Sequence, residues 1–351
     1  KIKMKINKSL PVLVTGATGY IAGWVVKNLL DEGITVHAPI RDTDNTQKRE
    51  HLDKLAENSS GKIKYFESDL MIEDSYKEAM KGCELVIHTA SPFVMDSKDP
   101  QKEVIEPALK GTQNVLKTVN ETESVKRVVL TSSIAAIYGN SIDVQSVEGG
   151  LFNESMWNTT STSTDGEYSY SKTVAEKEAW KICEEQKRWD LVVINPGFVL
   201  GPSLNPNALF ESKKFMLQMG NGDLKSGAPD ITMGMVDVRD VSKAHVIAGF
   251  SETAKGRHIL SAGTHTLLET GGFIKEKFGD KYPVPTRNAP KFLIWILAPF
   301  IGIKRNFVSK NVGYKIDFDN RKSIKELGIN YSPVKKAVVD FFQQFIDNGL
   351  V

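Results

Sequence analysis

Cysteine is scarce: Cys83 and Cys183 are the only two in 351 residues. Two thiols cannot build a disulfide framework, and their separation matches no metal-ligand spacing. A stapled secreted scaffold and a metal domain are therefore not expected, and a reducing, cytoplasmic compartment is. A surplus of one charge is also missing, since 45 Lys and Arg face 43 Asp and Glu. That balance gives no reason to expect nucleic acid or a membrane as partner. Long apolar runs are absent too. The most apolar window, "FLIWILAPFIGI" at 292–303, is shorter than the about 20 residues a membrane span needs and contains Pro299. We expect it to be buried, a lipid-touching surface patch being the lesser alternative. The start, "KIKMKINKSLPVLVTG", has too short an apolar run for a signal peptide.

What remains is a globular profile, 40% hydrophobic and 25% charged, long enough for one large domain or two modest ones. Short apolar runs of strand type recur at 11–16, 34–40, 62–68, 84–90, 125–133 and 190–197. Between them lie helical patterns at 23–33, 46–57, 76–82, 101–120 and from 167 to about 187. This alternation predicts an α/β fold with a doubly wound parallel Rossmann sheet. The rhythm breaks after Pro196, where 198–235 is rich in Gly, Pro, Asn and Met, and a strand and helix return over 236–250. We expect a nucleotide-binding domain from 1–197 plus 236–265, and a smaller, discontinuous C-terminal substrate lobe from 198–235 plus 266–351.

Between the first strand and first helix, "VLVTGATGYIAG" sets Gly16, Gly19 and Ala22 in a G-x-x-G-x-x-A spacing. Glycines there let the backbone turn tightly and approach a pyrophosphate, whose charge rests on the free amides of the helix N-terminus. The second strand ends in "HAPIRD". An NAD site commonly places an acid at this point to hold the ribose 2′-hydroxyl. Arg41 stands there instead, with Lys48 seven residues on. A guanidinium matches a 2′-phosphate in fork geometry, so NADPH is expected, with NAD(H) kept open by Asp42.

"VVLTSS" brings Ser132 and Ser133 to the carboxyl edge of the sheet, and "EYSYSK" follows at 167–172. Tyr168 and Lys172, four apart, share a helix face, whereas Tyr170 points elsewhere. The ammonium is expected to lower the phenol pKa from about 10 toward working pH. A phenol so tuned gives a proton to a carbonyl oxygen, while Ser133 donates a hydrogen bond to the developing alkoxide. His88, on an apolar strand, is expected to be a packed, hydrogen-bonded histidine rather than a base.

With these residues in view, the chain resembles the extended short-chain dehydrogenase/reductases, within them the dihydroflavonol-4-reductase/cinnamoyl-CoA-reductase-like group of carbonyl reductases. "TGATGYIAGWVVKNLL", "SDLMIEDSYKEAMKGCELVIHTASPF", "RVVLTSSIAAIY", "YSYSKTVAEKEAW" and "VDVRDVSKAH" carry the likeness. The resemblance implies Ser133, Tyr168 and Lys172 as catalytic. It implies cofactor contacts at Gly16, Thr18, Gly19, Tyr20, Ile21, Arg41, Lys48, Asp69, Leu70, Thr89, Ala90, Ser91 and Thr131, and at Tyr168, Lys172, Pro196, Gly197 and Val199. No metal is implied. Departures narrow the substrate: Tyr138 replaces the asparagine of flavonoid reductases, and "GEYSYSK" replaces the "NWYCYGK" of cinnamoyl-CoA reductases. Dihydroflavonols and CoA thioesters are thereby disfavoured. A small-molecule aldehyde or ketone remains, in a pocket expected at Phe93, Tyr138 and Phe198, within a monomer or homodimer. Alternatives are an NAD-dependent 3β-hydroxysteroid dehydrogenase, a sugar-nucleotide epimerase or dehydratase, and a non-catalytic NADP sensor.

Overall fold

Strands buried on both faces of a sheet read as nearly continuous apolar runs, and the central runs of this chain do, with polar residues such as Thr15 and His88 at their ends. In β1 (Val12–Thr15), Val12 and Val14 join one core while Leu13 joins the core on the opposite face. This alternation is what the pleat requires. The structure is a computed structural model that describes residues 5–351 apart from 91–96, 98, 206–207 and 209.

The strands that follow are β2 (Thr35–Ile40), β3 (Lys62–Glu67), β4 (Leu85–His88), β5 (Arg127–Thr131), β6 (Leu151–Phe152) and β7 (Asp190–Pro196). After them come β8 (Phe198–Leu200), β9 (Thr232–Asp237), β10 (Gly256–Leu260), β11 (Gly263–Thr266) and β12 (Asp317–Phe318). Seven of them form one sheet in the order β10-β7-β5-β4-β1-β2-β3, every neighbouring pair parallel. The chain runs outward one way from β1 through β3, then crosses back to β4 beside β1. Crevices at such a reversal are where open α/β sheets bind ligands.

The helices are α1 (Tyr20–Asp31), α2 (Thr46–Glu57), α3 (Lys77–Met80), α4 (Glu106–Glu121), α5 (Glu167–Glu184) and α6 (Glu211–Gly220). They continue with α7 (Val238–Phe250), α8 (Leu267–Phe278), α9 (Lys291–Leu297), α10 (Arg305–Asn311), α11 (Arg321–Leu327) and α12 (Val334–Asp347). α1 buries Ala22, Val25, Val26, Leu29 and Leu30 on one face of the sheet, together with Val241 and Ala244 of α7. α4 and α5 cover the other face through Val115, Leu116, Val119 and Ala179. The doubly wound arrangement read from the alternation is therefore the one found.

A three-stranded sheet, β11-β9-β8, supports the rest with a core that includes Phe215, Met216, Phe341, Phe342 and Phe345. The expected change of lobe at 235/236 falls inside β9, and β11 belongs to the small sheet. The helix read from Gly23 begins at Tyr20, directly on the glycine turn. The one read from 101 opens with a π-helical turn, Gln101–Ile105.

The apolar window 292–303 departs from expectation. It forms α9 and a 3₁₀ turn, Ala298–Ile301, yet only Ile294 and Ala298 are buried while Phe292 is 63% and Phe300 83% exposed. A run this apolar ordinarily belongs to a core; here two residues anchor it and the others face outward. Among the described residues no helix is long and apolar enough to cross a membrane.

Candidate active site

Gly16 follows β1 in the left-handed region at φ 66°, which disfavours any residue with a Cβ. A Cβ there would stand 3.0 Å from the Ala90 Cα, at the end of neighbouring β4. The two strand ends thus meet with only glycine between them. Thr15 fastens the join: its hydroxyl oxygen accepts from the Thr89 and Ala90 amides, and the Thr89 hydroxyl donates to its carbonyl at 2.6 Å. The Gly19 amide closes the turn on the Gly16 carbonyl at 2.8 Å, and Gly19 is the N-cap of α1. No side chain caps this helix. Amides of the first helical turn, at Tyr20 and Ile21, have no intrahelical acceptor and suit an anion.

The segment that follows β8 lies against this turn. The Asn205 amide donates to the Thr18 carbonyl, the Tyr20 hydroxyl to the Gly201 carbonyl and the Trp24 indole to the Pro202 carbonyl. Tyr20 also stacks on Phe210 at 3.9 Å between centroids, so its ring serves the lobe contact. Gly197, after β7, approaches so closely that a Cβ would stand 2.4 Å from the Gly234 carbonyl oxygen. Pro196 is the last residue of β7, and Val199 packs against the sheet core.

At the end of β2, Arg41 is exposed, as is Lys48 in the first turn of α2. Asp42 is occupied locally, its carboxylate accepting from the Asp44 and Asn45 amides at 3.0 and 3.2 Å. Asp69, beyond β3, and Arg41 both act on the buried Tyr76 phenol, which places the two charges at one edge of the sheet. Leu70 packs against Gly111 of α4, where an added Cβ would meet its side chain at 2.5 Å. Ser91 and Phe93 lie outside the described residues.

Ser133 caps a short 3₁₀ turn after β5, its side chain accepting from the Ala135 amide at 3.1 Å. α5 starts from Gly166, held left-handed at φ 79°, a geometry glycine supplies. The first turn delivers Tyr168, whose side chain hydrogen-bonds Ser133. One turn on, the Lys172 ammonium lies 5.8 Å from the Tyr168 ring centroid. Tyr170 is half-buried. Tyr168 is 57% exposed as a residue, yet desolvation is the main influence that holds its phenol above the usual pKa. Glu211 pushes the same way, and the Ser133 hydrogen bond opposes both. The expected lowering by Lys172 is therefore not what these surroundings produce. Lys172 is itself lowered to about 8 by burial, against which the Glu176 carboxylate works.

Behind Lys172, a cavity of about 20 Å³ is lined by His88, Thr131, Ser132 and Glu176, among others. Such a polar space suits about one water. Glu176 is 1% exposed and accepts from the Ser132 hydroxyl at 2.5 Å, the Asn195 amide at 2.9 Å and the Arg257 guanidinium at 2.6 Å. Its only sequence signal is position: it follows Lys172 at the spacing by which Lys172 follows Tyr168. His88 is buried, paired with the Thr15 hydroxyl at 2.8 Å and lowered to about 3 by burial and by Lys172. It stays neutral and packed. The Thr131 hydroxyl is paired with His245 at 2.7 Å.

Two expected pocket rings are engaged in packing. Tyr138 contacts Phe152 and Phe318 at 4.9 and 5.4 Å between centroids, and Phe198 meets Phe215 edge-on at 5.1 Å. Both remain half-buried. Among the described residues, no group of His, Cys, Asp and Glu is arranged to hold a metal.

The family described as NAD dependent epimerase/dehydratase matches residues 12–260. The cinnamoyl-CoA reductase CAD2 of Medicago truncatula is 36% identical over 330 residues, spanning 93% of each chain. An anthocyanidin reductase of Vitis vinifera is 36% identical over 284 residues, 78% of this chain and 82% of its own. Among solved structures, the yeast methylglyoxal/isovaleraldehyde reductase Gre2 complexed with NADPH superposes with a TM-score of 0.74 at 27% identity, covering 97% of this chain and 100% of that one. With the glycine turn at the sheet's reversal and the Ser, Tyr and Lys side chains beside it, these matches establish that the chain belongs to the NAD dependent epimerase/dehydratase family, the extended short-chain dehydrogenases/reductases.

Proposed function

We propose that this protein is an NADPH-dependent carbonyl reductase acting on a small, partly apolar aldehyde or ketone. One observation carries the reading: Ser133, Tyr168 and Lys172 converge beside a glycine turn at the point where the sheet order reverses. The residues fit a dinucleotide. Gly16 and Gly19 let the turn close tightly, since a Cβ at either would stand 3.0 Å from backbone atoms, and the α1 N-terminus that follows has no side-chain cap. Exposed Arg41 and Lys48 suit a 2′-phosphate, while Asp42 is committed to its own loop. Bound there, a nicotinamide cofactor supplies the hydride.

The chain's own residues manage the proton and the charge. A phenol held above its usual pKa is fully protonated at rest, so Tyr168 begins with the proton that the carbonyl oxygen needs. Ser133 donates to the same oxygen as negative charge builds on it. Once the proton has left, the Lys172 ammonium stabilises the phenolate. The lobe from 198–235 and 266–351 closes the substrate side.

Following NADPH and NADH oxidation with a panel of aldehydes, ketones, flavanones and UDP-sugars tests this reading. The expected result is NADPH oxidation with an aldehyde or ketone. Turnover of UDP-sugars with NAD, or tight NADPH binding with no carbonyl reduced, would overturn it.

A further inference from the structure

The apolar window that proved to lie outside the core is the largest part of this structure left without a role. Of α9 and its 3₁₀ turn, Ile294 and Ala298 reach inward and pack with Val308 and Val312. Phe292, Trp295, Ile296, Leu297, Phe300 and Ile301 are all more than two-fifths exposed. A contiguous apolar surface of this kind marks a contact with something other than water.

Charge indicates what. From 281 to 316 the sequence holds seven Lys and Arg and no acid, in a chain whose total is +2. Lys291 opens α9, while Lys304 and Arg305 follow the 3₁₀ turn, all three exposed. The Arg305 guanidinium lies over the Trp295 ring, 4.3 Å from its centroid, which joins the cation to the apolar face itself. The acids packed against this region come from the loop and helix start at 165–167: Asp165 pairs with Lys310 and Glu167 with Lys304. Lys291 donates to the Ser309 and Val312 carbonyls, and no acid among the described residues forms an ion pair with it.

We propose that α9 and its 3₁₀ turn dock this protein peripherally on an anionic lipid surface. Phe, Trp and Leu would enter the headgroup boundary while Lys291, Lys304 and Arg305 meet the lipid phosphates and carboxylates. Seven helical residues cannot span a bilayer, so the element lies on it. A second copy is the weaker occupant, because an isologous pairing would bring the same acid-free segments together. Near-neutral net charge conceals this local asymmetry. The inference does not depend on the catalytic reading, although Lys304 ties the patch to Glu167, the residue before Tyr168.

The test is co-sedimentation of the full chain with vesicles of phosphatidylcholine alone and of phosphatidylcholine with phosphatidylserine. Binding is expected to the mixed vesicles only, weakening as salt is raised. Trp295 fluorescence should shift to the blue and be quenched by brominated lipid. The double variant Phe292→Asp, Phe300→Asp should bind at least tenfold more weakly, and Arg305→Gln several-fold more weakly, both with unchanged thermal melts. Vesicle binding unaltered in the double variant would overturn the assignment, as would no binding by the parent chain. A stable dimer in light scattering that is lost in the double variant, with no vesicle binding, would identify a second copy as the true occupant.

Discussion

Glu176 lies one helical turn beyond Lys172 on α5, and its buried carboxylate favours the ammonium that burial disfavours. The balance leaves Lys172 at about 8, below the roughly 10.4 of an unfolded lysine. Between those values the unfolded chain holds a proton that the folded chain has released, so this site's contribution to stability rises with pH across the window. Lys172→Met removes the burden. It should raise stability most below pH 8, by about 3 kcal/mol, with the gain vanishing toward pH 10 to 11. Melts of the two proteins from pH 6 to about 10 check the sign; a gain that grows with pH would contradict it.

Tyr168→Phe removes one oxygen from a ring that is largely exposed. The fold should be undisturbed and the NADPH dissociation constant within a factor of about three of the parent's. Turnover with the best carbonyl substrate should fall by about 10²–10⁴, the usual worth of a positioned acid. Stopped-flow NADPH oxidation and a fluorescence titration measure the two separately.

Arg41→Ser, alone and with Lys48→Ser, should raise KM for NADPH by about tenfold or more, since a charge-assisted contact is worth roughly 1.5–3 kcal/mol. KM for NADH should barely move. Equal losses with both cofactors would mean that these cations do not read a 2′-phosphate.

Glu176→Ala should be the most damaging of these substitutions to stability. Arg257 is 6% exposed, and its other acceptors are the carbonyls of Glu154, Met156 and Ala136. Without the carboxylate a buried guanidinium loses its counter-charge, at a cost of about 3–5 kcal/mol. Glu176→Gln keeps the shape and one accepting oxygen while turning the other into a donor, and should recover only part of that loss. Urea denaturation of the three proteins gives the comparison.

The sheet was legible because strands buried on both faces leave unbroken apolar runs, and because helices between them keep their period. The glycine turn, Ser133, Tyr168 and Lys172 were legible because each is tied to a place such a sheet requires. Glu176 was not, since its meaning comes from Arg257, 81 positions away, and no local pattern reports a distant partner. The stretch around 134–166 was equally opaque; its 3₁₀ turns and two-residue β6 have too little period to detect. At 292–303 hydrophobicity alone could not tell a core segment from an exposed one, because composition records affinity for apolar surroundings and not which surroundings are present.

The Glu176–Arg257 pair also sets an order of events during synthesis. α5, which carries Tyr168 and Lys172, precedes β10, on which Arg257 stands, in chain order. Until that strand joins the edge of the sheet beside β7, α5 carries a carboxylate without the guanidinium of Arg257 to meet it. Seating of the helix that carries Tyr168 and Lys172 therefore waits on a strand at the far edge of the sheet. A fragment ending before Arg257 would contain Ser133, Tyr168 and Lys172 and still lack the buried partner of Glu176 that seats α5.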